Sequence, residues 1–220
     1  AIEWNDMDPT LLLLTAFQED WTFDVFLYSG KEEEINTMPL EDPFPKWFGK
    51  QDIITVDVPE HPLDGGELLL YDYVSGKEER LGLPGVVSFD TNEERLLTAQ
   101  INDEEDVDYK ITLQDGTLLS SWTMPAVSNY SEWVFPELSW IADTTVFMPS
   151  ASKGGQLDDL GDPYQLVRVE DGHQDVLLDH IPAGILRCSP NGELCLTGYQ
   201  AEKMIEPTKQ NETTWLIDSE

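Results

Sequence analysis

The residues best able to do chemistry fall into three groups: clustered carboxylates, two nearby cysteines, and a few tryptophans. Asn102-Asp103-Glu104-Glu105-Asp106-Val107-Asp108 is the densest acidic segment, and Asp158-Asp159-Leu160-Gly161-Asp162 is a second. Hard cations such as Ca²⁺ are held by several oxygens from a flexible loop. Neither segment has the alternating acids, central Gly and terminal Glu of a calcium loop. Asp103, Glu104, Asp106 and Asp108, and Asp158, Asp159 and Asp162, therefore read first as solvated acidic loops. Their functional reading is as contacts on a ligand-binding face, with no metal and no other cofactor expected.

A nucleophile and base are harder to find. The histidines are His61, His173 and His180. Asp179-His180 looks like a catalytic pair, but neighbouring side chains on a strand point to opposite faces. The chain has no G-x-S-x-G elbow, no H-E-x-x-H or C-x-x-C spacing and no Gly-rich phosphate loop. No catalytic residue is assigned. Cys188 and Cys195 flank Ser189-Pro190-Asn191-Gly192. A two-residue Asn191-Gly192 loop makes them direct cross-strand neighbours, within reach of a disulfide. A three-residue Pro190-Asn191-Gly192 loop shifts the register and leaves two thiols. Trp21, beside Glu19 and Asp20, is the best candidate for an exposed ligand-gripping aromatic. Trp122 and Trp133 read as packing residues.

These residues hang on a repeat. An aromatic or apolar anchor, a polar turn and an apolar β-rich run recur five times. Trp4 leads to Leu11–Leu14, Trp47 to Ile53–Val56, Phe89 to Leu96–Thr98, Trp140 to Thr145–Met148, and Cys188 to Leu194–Leu196. The anchors recur every 40 to 50 residues, roughly the length of a four-stranded propeller blade. A second signal keeps the same phase. Strand-like runs end at Ser29-Gly30, Ser75-Gly76, Asp115-Gly116 and Asp171-Gly172, where Gly can take the positive φ of a hairpin turn. Each unit thus reads as antiparallel strands A to D, and the fold as an all-β propeller rather than a sandwich. The five units span approximately 1–42, 43–84, 85–130, 131–182 and 183–220, in one domain.

Cys188-Ser189-Pro190-Asn191-Gly192-Glu193-Leu194 resembles the W-S-P-D-G-K-x-I signature of TolB-type, WD-repeat-like propellers. Trp4, Trp47, Phe89 and Trp140 stand where that signature has its aromatic, and Leu138-Ser139-Trp140 and Asp90-Thr91-Asn92-Glu93 are partial copies. The resemblance implies a fold and a blade layout, and no activity. Anchor positions are expected to be buried between blades. The chain enters on strand A, and its fifth unit is read as ending after strand C at Thr214–Ile217. That predicts either a three-stranded fifth blade or membership of a longer propeller of six or more blades.

In this layout the A–B and C–D turns share one end of each sheet, and the B–C and D–A connections share the other. The B–C connections are expected at Gln18–Thr22, Pro59–Gly66, Asn102–Asp108, Ser150–Pro163 and Gln200–Glu212. Long, dissimilar loops on a rigid scaffold are where binding concentrates.

Composition bounds the partners. Twelve Lys and Arg against 44 Asp and Glu give a net charge of −32 over 220 residues. Such a chain repels polyanions and lacks the basic patch of a nucleic-acid binder. The longest apolar run, Leu11–Phe17, is far short of the ~20 residues of a membrane span. No signal peptide is visible and the chain starts at Ala1 without Met, as in a processed secreted protein or a trimmed chain. Asn211-Glu212-Thr213 fits the glycosylation pattern, which is common by chance. The reading is a monomeric, non-catalytic, extracytoplasmic (secreted or cell-surface) propeller that binds a protein or small extracellular ligand through its B–C loops. The alternative is the propeller part of a larger enzyme, such as a prolyl-peptidase-like hydrolase. A salt-rich habitat would also account for the acidity.

Overall fold

The computed structural model describes residues 1–57, 59–161, 164–182, 184–209 and 211–214, with only the backbone of Pro62, Asn211, Glu212 and Thr214. Strands β1 (Ile2–Trp4), β2 (Leu11–Phe17), β3 (Phe23–Ser29) and β4 (Glu34–Met38) make the first sheet. The second contains β5 (Lys46–Phe48), β6 (Asp52–Asp57), β7 (Glu67–Asp72) and β8 (Lys77–Arg80). The third contains β9 (Val86–Asn92), β10 (Arg95–Ile101), β11 (Asp106–Leu113) and β12 (Leu118–Pro125). Short strands β13 (Val127–Asn129) and β14 (Glu132–Trp133) follow. Next come β15 (Ser139–Ala142), β16 (Thr145–Ala151), β17 (Gly155–Gln156), the one-turn helix α1 (Leu157–Leu160), β18 (Tyr164–Glu170) and β19 (His173–Leu178). The fourth sheet has the order β15-β16-β18-β19, while β13, β14 and β17 form a small sheet apart. The fifth is β20 (Ile185–Cys188), β21 (Cys195–Gly198), β22 (Lys203–Glu206) and β23 (Asn211–Thr214). Among the described residues no helix is long and apolar enough to cross a membrane.

The chain divides into two compact units, Ala1–Thr98 with Thr112–Gly116, and Ala99–Ile111 with Thr117–Glu220. In the first, Leu11, Leu13, Val25, Leu27, Trp47, Ile53 and Tyr71 form one core cluster. Phe48, Ile54, Leu68, Val86 and Leu96 form another, with Phe89 packed against it. The second sheet thus feeds both clusters. Ile53 and its neighbour Ile54 are both 0% exposed, which is why β6 reads as an unbroken apolar run rather than an alternation. In the second unit Phe147, Tyr164, Leu166, Ile181, Leu186, Cys195 and Ile205 make the core. Fully burying an aliphatic side chain of this kind contributes about 1.5–3 kcal/mol.

The repeat is as expected in kind, and three details differ. The fifth sheet has four strands. β22 lies inside the stretch expected to be the loop Gln200–Glu212, and β23 is the fourth strand rather than the third. Only Met204 and Ile205 are apolar there, too few to show a period. The strand forms because Ile205 pairs with Cys195 and Met204 with Leu196 on β21. The expected strand Thr214–Ile217 lies outside the described residues beyond Thr214, as does the side chain of Asn211. Second, Gly30 does not take a positive φ, and Glu33 does instead, at 56°. The Asp171-Gly172 turn is as expected: both residues have positive φ, 51° and 82°, as a type I′ hairpin requires. A Cβ on Gly172 would stand 2.6 Å from the carbonyl oxygen of Ser121, so the position admits only glycine.

Third, the anchors are not equally buried. Trp47 is 4% exposed, its indole N–H donates to the Glu3 carbonyl at 3.3 Å, and Tyr73 meets its ring edge-on at 5.7 Å. Phe89 and Trp140 are half-buried. Trp4 is 58% exposed, because it pairs with Leu12 on the face of the first sheet opposite the buried Leu11 and Leu13. Trp122 is buried as expected and stacks on Tyr109 of the adjacent strand at 5.3 Å. Trp133 is half-buried on β14.

Cys188 and Cys195 are bonded, with Cα atoms 4.0 Å apart. The β20–β21 register sets them directly opposite, as the first alternative has it, but through a turn of residues 190–193 rather than a two-residue Asn191-Gly192 loop. Ser189 N–H donates to Leu194 O and Gly192 N–H to Ser189 O, both at 2.8 Å.

Two stability outcomes follow. Trp47→Ala should cost about 3–5 kcal/mol, while Trp4→Ala in this 220-residue chain should cost under about 1 kcal/mol, as surface changes do. Equal losses in urea titrations would show the two anchors to be equivalent. The disulfide closes a loop of sequence separation 7, so replacing both cysteines by serine should cost about 2 kcal/mol on the chain-entropy account. An unchanged midpoint would show that the turn holds itself.

Candidate functional site

The B–C and D–A end of the first sheet is built from short, internally bonded connections. Residues 18–22 form a turn in which Gln18 N–H donates to Thr22 O at 2.8 Å and Trp21 N–H to Gln18 O at 3.2 Å. One Asp20 carboxylate oxygen accepts from Thr22 N–H at 3.1 Å and from the Thr22 hydroxyl at 2.6 Å. The hydroxyl bond first, then the amide, holds the Asp20 carboxyl below its ordinary pKa. Trp21 sits on this turn 84% exposed with φ at 66°, a region that bulky residues enter only where the surroundings compel it. Trp21 is thus where the sequence places it, at the tip of a B–C loop.

Sequence reasoning missed the neighbouring D–A connection. Asp42 is 3% exposed, yet both carboxylate oxygens are used. One accepts from Phe44 N–H at 2.8 Å and the other from Val56 N–H at 2.9 Å. Burial pushes the Asp42 carboxyl up, and the two amides oppose it. The Thr15 hydroxyl adds a bond to Pro43 O at 2.8 Å. Phe44 is presented between two prolines, 60% exposed, with its ring centroid 5.9 Å from that of Phe17. Phe17 in turn lies 6.2 Å from Phe23. Pro43-Phe44-Pro45 was the readable signal, since each proline fixes φ and removes a donor, leaving a stiff extended display. Beside these rings a cavity of about 130 Å³ is lined by Ile2, Leu13, Pro43, Phe44 and Pro45. That is comparable to the roughly 150 Å³ that takes a benzene ring.

Its polar edge includes Glu3 and Lys46, two members of an ion triad. Lys46 Nζ lies 3.3 Å from Glu3 and 3.3 Å from Asp90, joining β5 to β1 and β9. Burial works against the Lys46 charge, but Asp90 and Glu3 outweigh it and raise its pKa. Burial raises Glu3 despite the opposing Lys46. It also raises Asp6, helped by the nearby Glu93 and Asp90 charges. Each triad member adjoins an anchor aromatic in sequence (Glu3 and Trp4, Lys46 and Trp47, Asp90 and Phe89), a pairing that sequence reasoning did not use.

In the second unit the corresponding connections carry an open groove of about 360 Å³, lined by Val134, Phe135, Pro136, Ile185 and Tyr199. Tyr199 is 85% exposed at the start of the true fifth B–C loop, residues 199–202. Glu202 closes that loop by accepting from Gln200 N–H at 2.8 Å, a bond that lowers its pKa. Arg187 and Glu137 pair nearby at 2.5 Å. Tyr130, at the β13–β14 turn, is exposed with φ at 47°.

The carboxylates singled out from sequence are not brought together. Asn102 organises the first group. Its side-chain oxygen accepts from Glu104 and Asp106 N–H at 3.0 and 3.1 Å, and its NH₂ donates to Asp108 at 3.1 Å. Thr123 adds a bond to Asp108 at 2.7 Å. Asp103 and Glu104 point into solvent on the turn, while Asp106 and Asp108 belong to β11, not to the loop. Asp158 and Asp159 are exposed on α1, and Asp162 lies outside the described residues. Among the described residues no group of three His, Cys, Asp or Glu is placed to hold a metal ion. His61, His173 and His180 are exposed.

The turn end of the first unit carries a groove of about 570 Å³ lined by Asp8, Lys31, Glu32, Asn36, Tyr71 and Tyr73 among others. Lys31 bonds Asp8 at 2.6 Å and, with Thr10, holds its carboxyl down at about 2.

The raised carboxyls set a pH response. A group whose folded pKa exceeds its unfolded value contributes stability that is full below the unfolded value and is lost as pH rises through the folded one. Glu3, Asp6 and Asp42 are all raised, from 4.5, 3.8 and 3.8. Unfolding free energy should therefore rise as pH falls from neutrality towards those ordinary values. Asp8, which is lowered, opposes this only below its ordinary 3.8. Denaturant titrations across that window test it. Asp6→Asn should flatten the gain, and stability that falls steadily with acid would contradict the assignment.

Comparison with known proteins agrees with this architecture. Lipoprotein YqgU of Bacillus subtilis (strain 168) is 25% identical over 218 residues, covering 97% of this chain and 58% of the relative. This chain therefore spans less than two thirds of that relative's length. A solved structure of the Listeria monocytogenes EGD-e protein lmo1340 superposes with TM-score 0.85 at 18% identity, covering 97% of this chain and 66% of that one. TolB of Acinetobacter baumannii gives TM-score 0.54 at 11% identity over 78% of this chain and 40% of its own, so the TolB-type resemblance holds at the level of the fold. The model of the YqgU-like six-bladed β-propeller domain matches residues 1–198, and the chain belongs to that family.

Proposed function

We propose that this chain is an extracytoplasmic, non-catalytic propeller domain that recognises a protein partner through the B–C and D–A end of its blades, with Trp21 as the principal contact. One observation carries the reading. Six aromatic side chains are exposed among the described residues: Trp4, Phe17, Trp21, Phe44, Tyr130 and Tyr199. All but Trp4 lie on, or at the start of, B–C or D–A connections. Exposed rings held on stiff connections give large contact area at little cost in conformational entropy. The two apolar hollows, beside Phe44 and beside Tyr199, lie at the same end of their own sheets. They suit aliphatic or proline side chains of a partner, and the net charge of −32 favours a cationic one by steering the encounter.

The extracytoplasmic placement rests on two supports. The relative in Bacillus subtilis carries the name lipoprotein, and the Cys188–Cys195 disulfide suits an oxidising compartment.

Selection of displayed peptides on the immobilised domain tests the reading. Enriched peptides should combine Lys or Arg with apolar residues. Trp21→Ala should weaken them at least tenfold, about 1.4 kcal/mol or more, and Phe44→Ala somewhat less. Leu118→Ala, on a strand that starts at the opposite end, should have no effect. Binding that survives Trp21→Ala and Phe44→Ala together but is lost with Asp8→Ala or Tyr73→Ala would move the site to the turn-end groove.

A further inference from the structure

We propose that the groove at the turn end of the first unit binds an uncharged polyhydroxylated ring, a saccharide. This site is separate from the aromatic connections and does not depend on their role. It opens between the first and second sheets. On the first sheet, strand register aligns Leu13, Leu27 and Asn36 on the face that meets the second. Leu13 and Leu27 are buried there, while Asn36, on the outermost strand β4, is exposed. On the second sheet, the outermost strand β8 is exposed at all four residues. Apolar contact between the two sheets therefore ends short of β4 and β8, and a groove of about 570 Å³ is left. That lies within the roughly 300–1,000 Å³ of small-molecule sites.

The floor is apolar, made of Leu11, Leu27, Met38 and the ring of Tyr71, each at most 8% exposed. The rim carries Asp8, Lys31, Glu32, Asn36 and Tyr73. A buried orphan distinguishes this groove from a solvated crevice. Tyr71 is 8% exposed, and among the described residues its hydroxyl has no hydrogen-bond partner. A Cβ on Gly76 would stand 3.8 Å from that oxygen, which places it at the turn from β7 to β8, beside Val74 on the groove wall. A buried hydroxyl without a partner costs free energy, and a bound polar group removes that cost.

Charge selects the class of ligand. Both Asp8 oxygens are already used, one by Lys31 at 2.6 Å and the other by the Thr10 hydroxyl at 2.6 Å. Lys31 keeps two N–H groups to give. Among the described residues the Glu32 carboxylate and the Asn36 amide make no hydrogen bond. An anion would face Glu32 and Asp8, and a cation would face the Lys31 ammonium. A wholly apolar ligand would cover the rim without bonding to it. A sugar ring meets every condition. Each of its hydroxyls both donates and accepts, as the groove requires: Lys31 and the tyrosine hydroxyls donate, Glu32 accepts, and Asn36 does both. Its C–H face suits the apolar floor. Burial, then the Asp8 and Glu32 charges, raises the Tyr73 hydroxyl above its ordinary 10.0, so it remains a donor at neutral pH.

An array of neutral, acidic and amine-bearing glycans tests the proposal, followed by titration calorimetry with the strongest neutral binder. Neutral glycans should be retained. Glu32→Ala and Asn36→Ala alter exposed side chains and should each weaken binding about three- to tenfold, the net worth of one hydrogen bond. Tyr71→Phe removes only the buried hydroxyl. It should weaken binding by a similar factor and leave the melting temperature of the free domain no lower. Trp21→Ala should leave glycan binding unchanged, so this site and the peptide-binding reading fail separately. Retention of no glycan would overturn the proposal, as would retention of acidic or amine-bearing glycans alone. Neutral-glycan binding that survives Asn36→Ala together with Tyr71→Phe would overturn it too.

Discussion

A sheet of four short strands cannot bury its own faces, and most of this structure follows from that constraint. Strands of three to eight residues supply apolar side chains to both faces of a slab one residue thick, and among the described residues the one helix is a single turn, α1, whose Leu157 and Leu160 pack against the second unit's core. Within each unit burial comes mainly from sheet against sheet, with connections adding residues such as Leu40 and Ile181. That is why the core appears as separate clusters between sheets rather than as one centre, and why the second sheet carries adjacent, fully buried Ile53 and Ile54. A sheet of this kind is stable by virtue of its neighbours, as repeat architectures are in general.

Stacking leaves little for charge to do. The cations are few, and several are held by two carboxylates: Lys46 by Glu3 and Asp90, Arg80 by Glu67 and Asp57, Arg168 by Glu170 and Asp175. The Arg80 pairs are exposed, and pairs of that sort contribute from nothing to about 1 kcal/mol each; the Arg168–Asp175 pair is half-buried. Lys46 is different, because it lies on the second sheet between partners from the first and the third, and all three are part-buried. There the carboxylates are costly to charge, and the lysine offsets that cost without removing it. Apart from the buried Asp42, the remaining acids among the described residues are exposed or half-buried, and their mutual repulsion opposes the compact state rather than holding it together.

The repeat was legible because its signals are local. An apolar run, a polar turn with Gly and an anchor are each readable within ten residues, and turn chemistry at Asp171-Gly172 acts the same way in any surroundings. What escaped was set by pairing at a distance. β22 has two apolar residues and becomes a strand only against β21. The burial of an anchor depends on whether a neighbouring sheet covers it, so Trp4 and Trp47 look alike in sequence and differ in the fold. At the site, Trp21 stood out by type and position. Phe44 did not, because its display depends on Asp42, a buried carboxylate whose two amide partners lie 2 and 14 residues away. The acidic loops show the limit from the other side. Carboxylate density is visible in sequence, but convergence is not, and Asn102 and Thr123 use the bonding capacity of Asp108 locally.

Backbone conformation bears on Trp21 as well. A tryptophan at positive φ costs on the order of 1–3 kcal/mol, and a glycine there would avoid the cost. The turn holds the strained form through the Gln18–Thr22 and Trp21–Gln18 backbone bonds and the two Asp20–Thr22 bonds. Its effect is to fix an indole in solvent with little backbone freedom left to lose on contact. Phe44 reaches the same condition by another route, through two prolines and a buried aspartate. Two unrelated local devices that each present an exposed ring rigidly, at one end of one sheet, are what preorganisation for binding requires. Neither device is needed to stack one sheet upon another.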